Sequence, residues 1–99
     1  MGEKDNGLVV LIHGLARTQA SMRVMSIRLR RSGFRTDFAR YDSRRMRVDE
    51  AVAIVAQQIE QMDRRGPVHL VGHSLGGVVA LRVKEMRPDL DIHLSLIHI

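Results

Sequence analysis

The 99-residue chain contains no cysteine. That excludes disulfides, thiolate metal ligands and a cysteine nucleophile, and it suits a reducing compartment. With no tryptophan, one tyrosine and two phenylalanines in a sequence that is 44% hydrophobic, the core has to be built from Val, Leu, Ile, Ala and Met. No apolar run approaches the ~20 residues that span a bilayer. The N-terminal MGEKDNG is polar, lacks the basic and apolar regions of a secretory signal, and carries Asn6 where a myristoylation motif wants Ser or Thr. Together these absences predict a soluble, cytoplasmic protein, and the length predicts one domain of marginal stability.

Lysine is scarce as well. Lys4 and Lys84 are the only two, so the net charge of +5 is almost entirely arginine. Arg28, Arg30 and Arg31 fall near the end of an expected helix, where cations suit the negative end of its dipole. Arg44, Arg45 and Arg47 fall in an expected loop. Neither cluster is interleaved with aromatics or joined to a nucleic-acid motif, so both read as solvated basic faces and no nucleic-acid partner is expected.

What is present alternates between two periodicities. Leu8 to Ile12 is a continuous β-rich apolar run, the mark of a strand buried on both faces. Met22, Met25 and Leu29, with Val24 and Ile27 beside them, follow helical spacing over about Ala20 to Ser32, and Gly33 is a natural stop. Phe34 to Ala39 reads as a shorter strand. Val48, Val52, Val55, Ile59 and Met62 make an apolar stripe at helical period, broken at Arg65-Gly66-Pro67. Val68 to Val71 is a second buried strand, Leu75 to about Met86 a helix ended before Pro88, and Ile92 onward another strand. Strands alternating with helices predict a parallel α/β sheet with right-handed crossovers, in one continuous unit.

The chemistry concentrates at "VHLVGHSLGGVVALR", Val68 to Arg82. Gly72-His73-Ser74-Leu75-Gly76, between a strand and a helix, is a nucleophile elbow, which lifts a serine hydroxyl above the sheet on a strained turn. Such a turn crowds neighbouring chain segments and explains glycine at 72 and 76, while Gly77 lets the helix pack closely on the strand. A phosphate-cradling turn is the competing reading. It is disfavoured because Ser74 occupies the middle glycine position of a dinucleotide fingerprint, no P-loop Gly-Lys-Ser/Thr follows, and Asp89 and Asp91 precede the next strand.

"LVVLIHGLARTQASM", Leu8 to Met22, supplies a second motif. A His-Gly pair just past a buried strand is similar to the oxyanion loop of α/β-hydrolases, which would make Leu15 one backbone N–H donor and Leu75 the other. His13 is a candidate base but reads better as a brace for this loop. His73 and His69 read as packing residues.

These two motifs in this order, with Ser21-Met22 after the first and Tyr41-Asp42-Ser43-Arg44 after the second strand, resemble the α/β-hydrolase superfamily, in particular small bacterial esterase/lipase-like members. The resemblance covers about Leu8 to Leu90. It implies a partial α/β-hydrolase fold of about four parallel strands, the family's third to sixth, lying side by side in the order Phe34, Leu8, Val68 and Ile92 strands. It also implies Ser74 as nucleophile, Leu15 and Leu75 as oxyanion donors, and His13, Gly14, Gly72, His73, Gly76 and Gly77 as structural residues of the site. No cofactor or metal is implied, and the substrate would be a small-molecule or lipid ester or a thioester.

The family's acid and histidine follow the serine. Here Glu85, Asp89 and Asp91 should lie at the opposite edge of the sheet from Ser74, beyond a helix some ~18 Å long, and His93 and His98 lack an orienting carboxylate. Residues 1–99 are therefore expected to be a single incomplete domain, the N-terminal part of a larger enzyme and inactive alone. "LSLIHI", Leu94 to Ile99, resembles a translated sequencing-adapter tail and reads equally as an ordinary strand. Acyl transfer and a non-catalytic binding module on the same fold are the alternative functions.

Overall fold

A computed structural model describes residues 6–14 and 19–97 of the chain. Strand β1 (Leu8–Ile12) is followed by helix α1 (Gln19–Arg31), β2 (Arg35–Ala39), α2 (Val48–Glu60), β3 (Val68–His73), α3 (Leu75–Met86), a 3-10 turn at Pro88–Leu90 and β4 (Ile92–Ile97). The four strands form one parallel sheet in the order β2-β1-β3-β4, the order the family resemblance implies. The expected elements are all present. β3 runs two residues past its apolar stretch, because Gly72 and His73 keep the ladder with Ile12 and Ile97.

All five β1 residues are buried, as expected of a central strand covered on both faces. The pleat sorts them by alternation: Leu8, Val10 and Ile12 join the larger core with α2 and α3, while Val9 and Leu11 join Met22 and Val71 in a smaller core under α1. On α2 the predicted stripe is the buried one, with Val52, Val55 and Ile59 against the sheet and Val48 and Met62 packed at its ends. Glu50 closes the N-terminus of α2, its carboxylate accepting the Arg47 N–H at 3.1 Å. The thinner α1 layer is tied to the edge strand by the Ser26 and Thr36 hydroxyls, 2.7 Å apart.

Arginines join the elements at the end of the sheet away from Ser74. Arg35 on β2 donates to the Asp63 carbonyl at 2.6 Å and to the Arg65 carbonyl, holding the segment beyond α2. Arg87, just past α3, bridges Glu60 at the end of α2 to Asp89. The hydrogen bonds from Arg87 hold the Asp89 carboxyl below its ordinary range. Among the described residues no helix is long and apolar enough to cross a membrane.

On the α1 side of the sheet, β3 and β4 place His69 and His93 opposite each other, with ring centroids 5.5 Å apart. Phe34 meets the His69 ring edge-on. Burial, and then the neighbouring His93, hold the His69 pKa below its ordinary value. A depressed histidine favours the neutral form in the folded state, so its stabilisation is present above the ordinary pKa of about 6.5 and is lost as pH falls from there toward the folded value. We expect the melting temperature to drop between about pH 7.5 and about pH 5.5, and to drop less in His93→Gln. Equal drops in the two proteins, measured by circular dichroism, would show that the pair is not coupled to folding.

Candidate active site

β3 ends at His73 and α3 begins at Leu75, leaving Ser74 alone to reverse the chain. It does so with φ 57° and ψ −123°, a left-handed conformation that a residue with a Cβ adopts only under constraint. Ser74 is exposed, and its hydroxyl does not cap the helix that it precedes. Its carbonyl instead takes the first-turn bond, accepting the Gly77 N–H at 2.9 Å.

The constraint is the close approach of three backbone segments. A Cβ on Gly72 would lie 2.5 Å from the Gly76 carbonyl carbon and 2.6 Å from the Gly77 Cα, so the strand and the first turn of α3 touch without side chains. A Cβ on Gly76 would strike the Ile12 carbonyl oxygen and approach the His13 carbonyl carbon to 2.9 Å, which seats α3 against the end of β1. Gly14 completes the contact: a Cβ there would be 3.0 Å from both the Ser74 Cβ and the Leu75 nitrogen. The glycines of both motifs thus meet around one serine.

Ser74 and Gly14 sit beyond the carboxyl ends of β3 and β1, between which the strand order reverses. This is the position where open parallel sheets bind ligands. As the first residue of α3, Leu75 has no carbonyl one turn below it, so its N–H is free of intrahelical bonding and points to the positive end of the helix dipole. Leu15 and His98 lie outside the described residues.

His13 and His73 are both half-buried, and their Nδ1 atoms have no hydrogen-bond partner among the described residues. The His13 ring stacks on Tyr41, centroids 5.1 Å apart and planes 13° from parallel. The Tyr41 hydroxyl donates to the His13 carbonyl at 2.7 Å. Burial raises the Tyr41 pKa above its ordinary value, which keeps the phenol protonated as that donor. Beside this stack is a cavity of about 370 Å³ lined by His13, Met22, Arg23, Phe38, Ala39, Arg40 and Tyr41.

The structure places the candidate acids away from the serine. Ile92 pairs with Val68 at the start of β3, so Asp89 and Asp91 belong to the amino-terminal edge of the sheet. Asp89 is held by Arg87 there. His93 is one position along β4, beside His69. Among the described residues no three His, Asp or Glu side chains gather where a metal could be held.

A parallel sheet whose switch point carries a strained serine at a glycine-walled strand-to-helix turn defines a class of α/β proteins. The alpha/beta hydrolase family model matches residues 9–98, and the chain belongs to that family. Among solved structures it is similar to the metagenomic carboxyl esterase MGS0156, with a TM-score of 0.68 and 21% identity. The match covers 91% of this chain and 27% of the esterase, so the chain spans about a quarter of that protein's length. At that identity the likeness is one of fold. No curated protein matches the sequence.

The strain at Ser74 is open to measurement. Glycine adopts such a φ freely but gives the unfolded chain more entropy, two effects of roughly 1–3 and 0.4–1 kcal/mol. Ser74→Gly should therefore unfold at higher denaturant than Ser74→Ala, by about 1 kcal/mol. The reverse order would mean that the turn is relaxed.

Proposed function

We propose that residues 1–99 are the N-terminal part of a serine hydrolase acting on carboxylic esters or thioesters, with Ser74 as its nucleophile. The observation that carries this is the left-handed backbone of Ser74, held in place by the Gly14, Gly72 and Gly76 contacts. A solvated serine with no special role has no reason to sit in a conformation costing about 1–3 kcal/mol.

In this reading the Ser74 hydroxyl attacks the acyl carbonyl carbon as a histidine outside residues 1–99 takes its proton. The backbone N–H groups of Leu15 and Leu75 stabilise the resulting oxyanion, assisted by the N-terminal end of α3. Collapse expels the alcohol or thiol, which receives the proton back, and water then releases the acyl group by the same steps in reverse. His13, Gly14, Gly72, His73, Gly76 and Gly77 shape the site without taking part in proton transfer. The cavity beside His13 is of a size to take part of a small ester, with Met22, Phe38 and Ala39 giving it an apolar wall. The cysteine-free composition suits the cytoplasm.

Two other functions share this scaffold. An acyltransferase would use the same serine and pass the acyl group to an acceptor other than water, and a binding module would keep the elbow without the chemistry. Capture of the complete protein by a fluorophosphonate probe separates the first two from the third.

The reading frame of the source gene beyond residue 93 should encode an acid and then a histidine after later strands. In the complete protein, Ser74→Ala should lower hydrolysis of a short p-nitrophenyl ester by several orders of magnitude with the fold intact, and replacement of His73 should matter far less. A stop codon directly after Ile99 in the native gene, or near-normal turnover by Ser74→Ala, would defeat the proposal.

The 99-residue chain by itself should hydrolyse esters no faster than its own Ser74→Ala variant. On the proposed reading the general base lies outside residues 1–99, and an oxyanion hole alone sustains only ~10³ to 10⁴ over water where the rest of the site is complete. Among the described residues β4 is an edge strand of the sheet, so oligomers are expected on size-exclusion chromatography. A monodisperse monomer with Ser74-dependent turnover would overturn this and make His13 and His98 the bases to test.

A further inference from the structure

The oxyanion loop begins at the His13–Gly14 peptide, and that peptide is gripped from two sides. On one side Gly14 lies against the elbow, with room for no side chain between it and Ser74 or Leu75. On the other, Tyr41 stacks its ring on His13 and donates its hydroxyl to the His13 carbonyl at 2.7 Å. Tyr41 is 9% exposed, and it belongs to the larger core, the cluster that also holds Ile12, Ala39 and Val52. The donor therefore comes from a fixed side chain.

We propose that Tyr41 is a positioning residue, which holds the His13–Gly14 peptide against the serine turn by binding the His13 carbonyl. The inference rests on the serine-hydrolase reading. A carbonyl, the N–H that follows it and the next Cα share one rigid plane, so fixing the His13 carbonyl fixes the Gly14 Cα, which lies against Ser74 and the Leu75 nitrogen. Without the hydroxyl, the elbow contact would still hold Gly14 from one side, but the peptide would be free to rock about it. The Gly14 wall would then shift against Ser74 and the Leu75 N–H, and the oxyanion would be met at a spread of angles, while the ground-state ester, which depends less on that geometry, would bind much as before.

Tyr41→Phe in the complete enzyme tests this, because it keeps the ring, its stacking and its volume and removes only the hydroxyl. Active-site titration with a fluorophosphonate counts the competent sites, and rates are expressed per titrated site. We expect kcat to fall about 10- to 100-fold, less than or comparable to loss of an oxyanion donor itself, with KM within about threefold. Affinity for a trifluoromethyl ketone, whose adduct with Ser74 carries an oxyanion, should fall by the same factor as kcat/KM. Unchanged kcat per site overturns the proposal, as does a rise in KM alone or a loss of titratable sites altogether, since each would make the hydroxyl a binding or folding group. Ser74→Ala measured alongside keeps the two questions apart. Turnover in that variant ends the serine-hydrolase reading, whereas an inactive Ser74→Ala with a fully active Tyr41→Phe ends only the role given to Tyr41.

Discussion

The contact on which the rest of the structure depends is between backbones: Gly76, in the first turn of α3, against the Ile12 carbonyl at the end of β1. It brings the end of one strand, the end of its neighbour and the start of a helix within van der Waals distance. No side chain fits there. With that approach fixed, the turn from β3 into α3 has only one residue to spend, and Ser74 is driven into the left-handed region. Magnitudes show why the fold tolerates this. The strain is roughly 1–3 kcal/mol, while Val79, Ala80 and Val83 of α3 are fully buried against the sheet, and each buried valine contributes about 1.5–3 kcal/mol. The helix holds the turn, not the reverse.

Local pattern made much of this legible in the sequence. A run of five apolar residues is a central strand whatever follows it, and the stripe from Val48 to Met62 can be satisfied only by a helix with one covered face. The elbow was legible because its glycines answer a local need, and the strand order followed from the family that the motifs resemble. Other features depend on contacts across the chain. Tyr41 stands two residues past the end of β2 and is the only tyrosine, yet its partner is 28 residues away and no spacing rule connects them. The extra length of β3 comes from pairing, not from composition. The end of α2 came two residues early, with the Gln61 and Met62 N–H groups bonded three residues back in a tightened last turn.

The two faces of the sheet are unequally covered. α2 and α3 together form a thick layer with most of the buried side chains, whereas α1 alone covers the other face and leaves its own Val24 and Ile27 about half exposed. The edge at β2 is partly closed by Gln58, whose side-chain amide accepts the Arg40 N–H and donates to the Arg40 carbonyl as a neighbouring strand would. The site lies where the better-packed layer meets the end of β1, so the elbow is built on the firmest part of the structure.

The parallel order has a consequence for synthesis. β1 pairs with β2 some 27 residues on, but its other edge waits for β3, about 60 residues further along the chain. At translation rates of about 5–20 residues per second that interval lasts roughly 3–12 seconds. Throughout it, a strand buried at all five positions emerges from the ribosome with one side unpaired and its thicker cover not yet made. Contacts so distant in sequence also close slowly once available. The arrangement that places the serine at the centre of the sheet therefore makes the nascent β1 segment a natural client for chaperones.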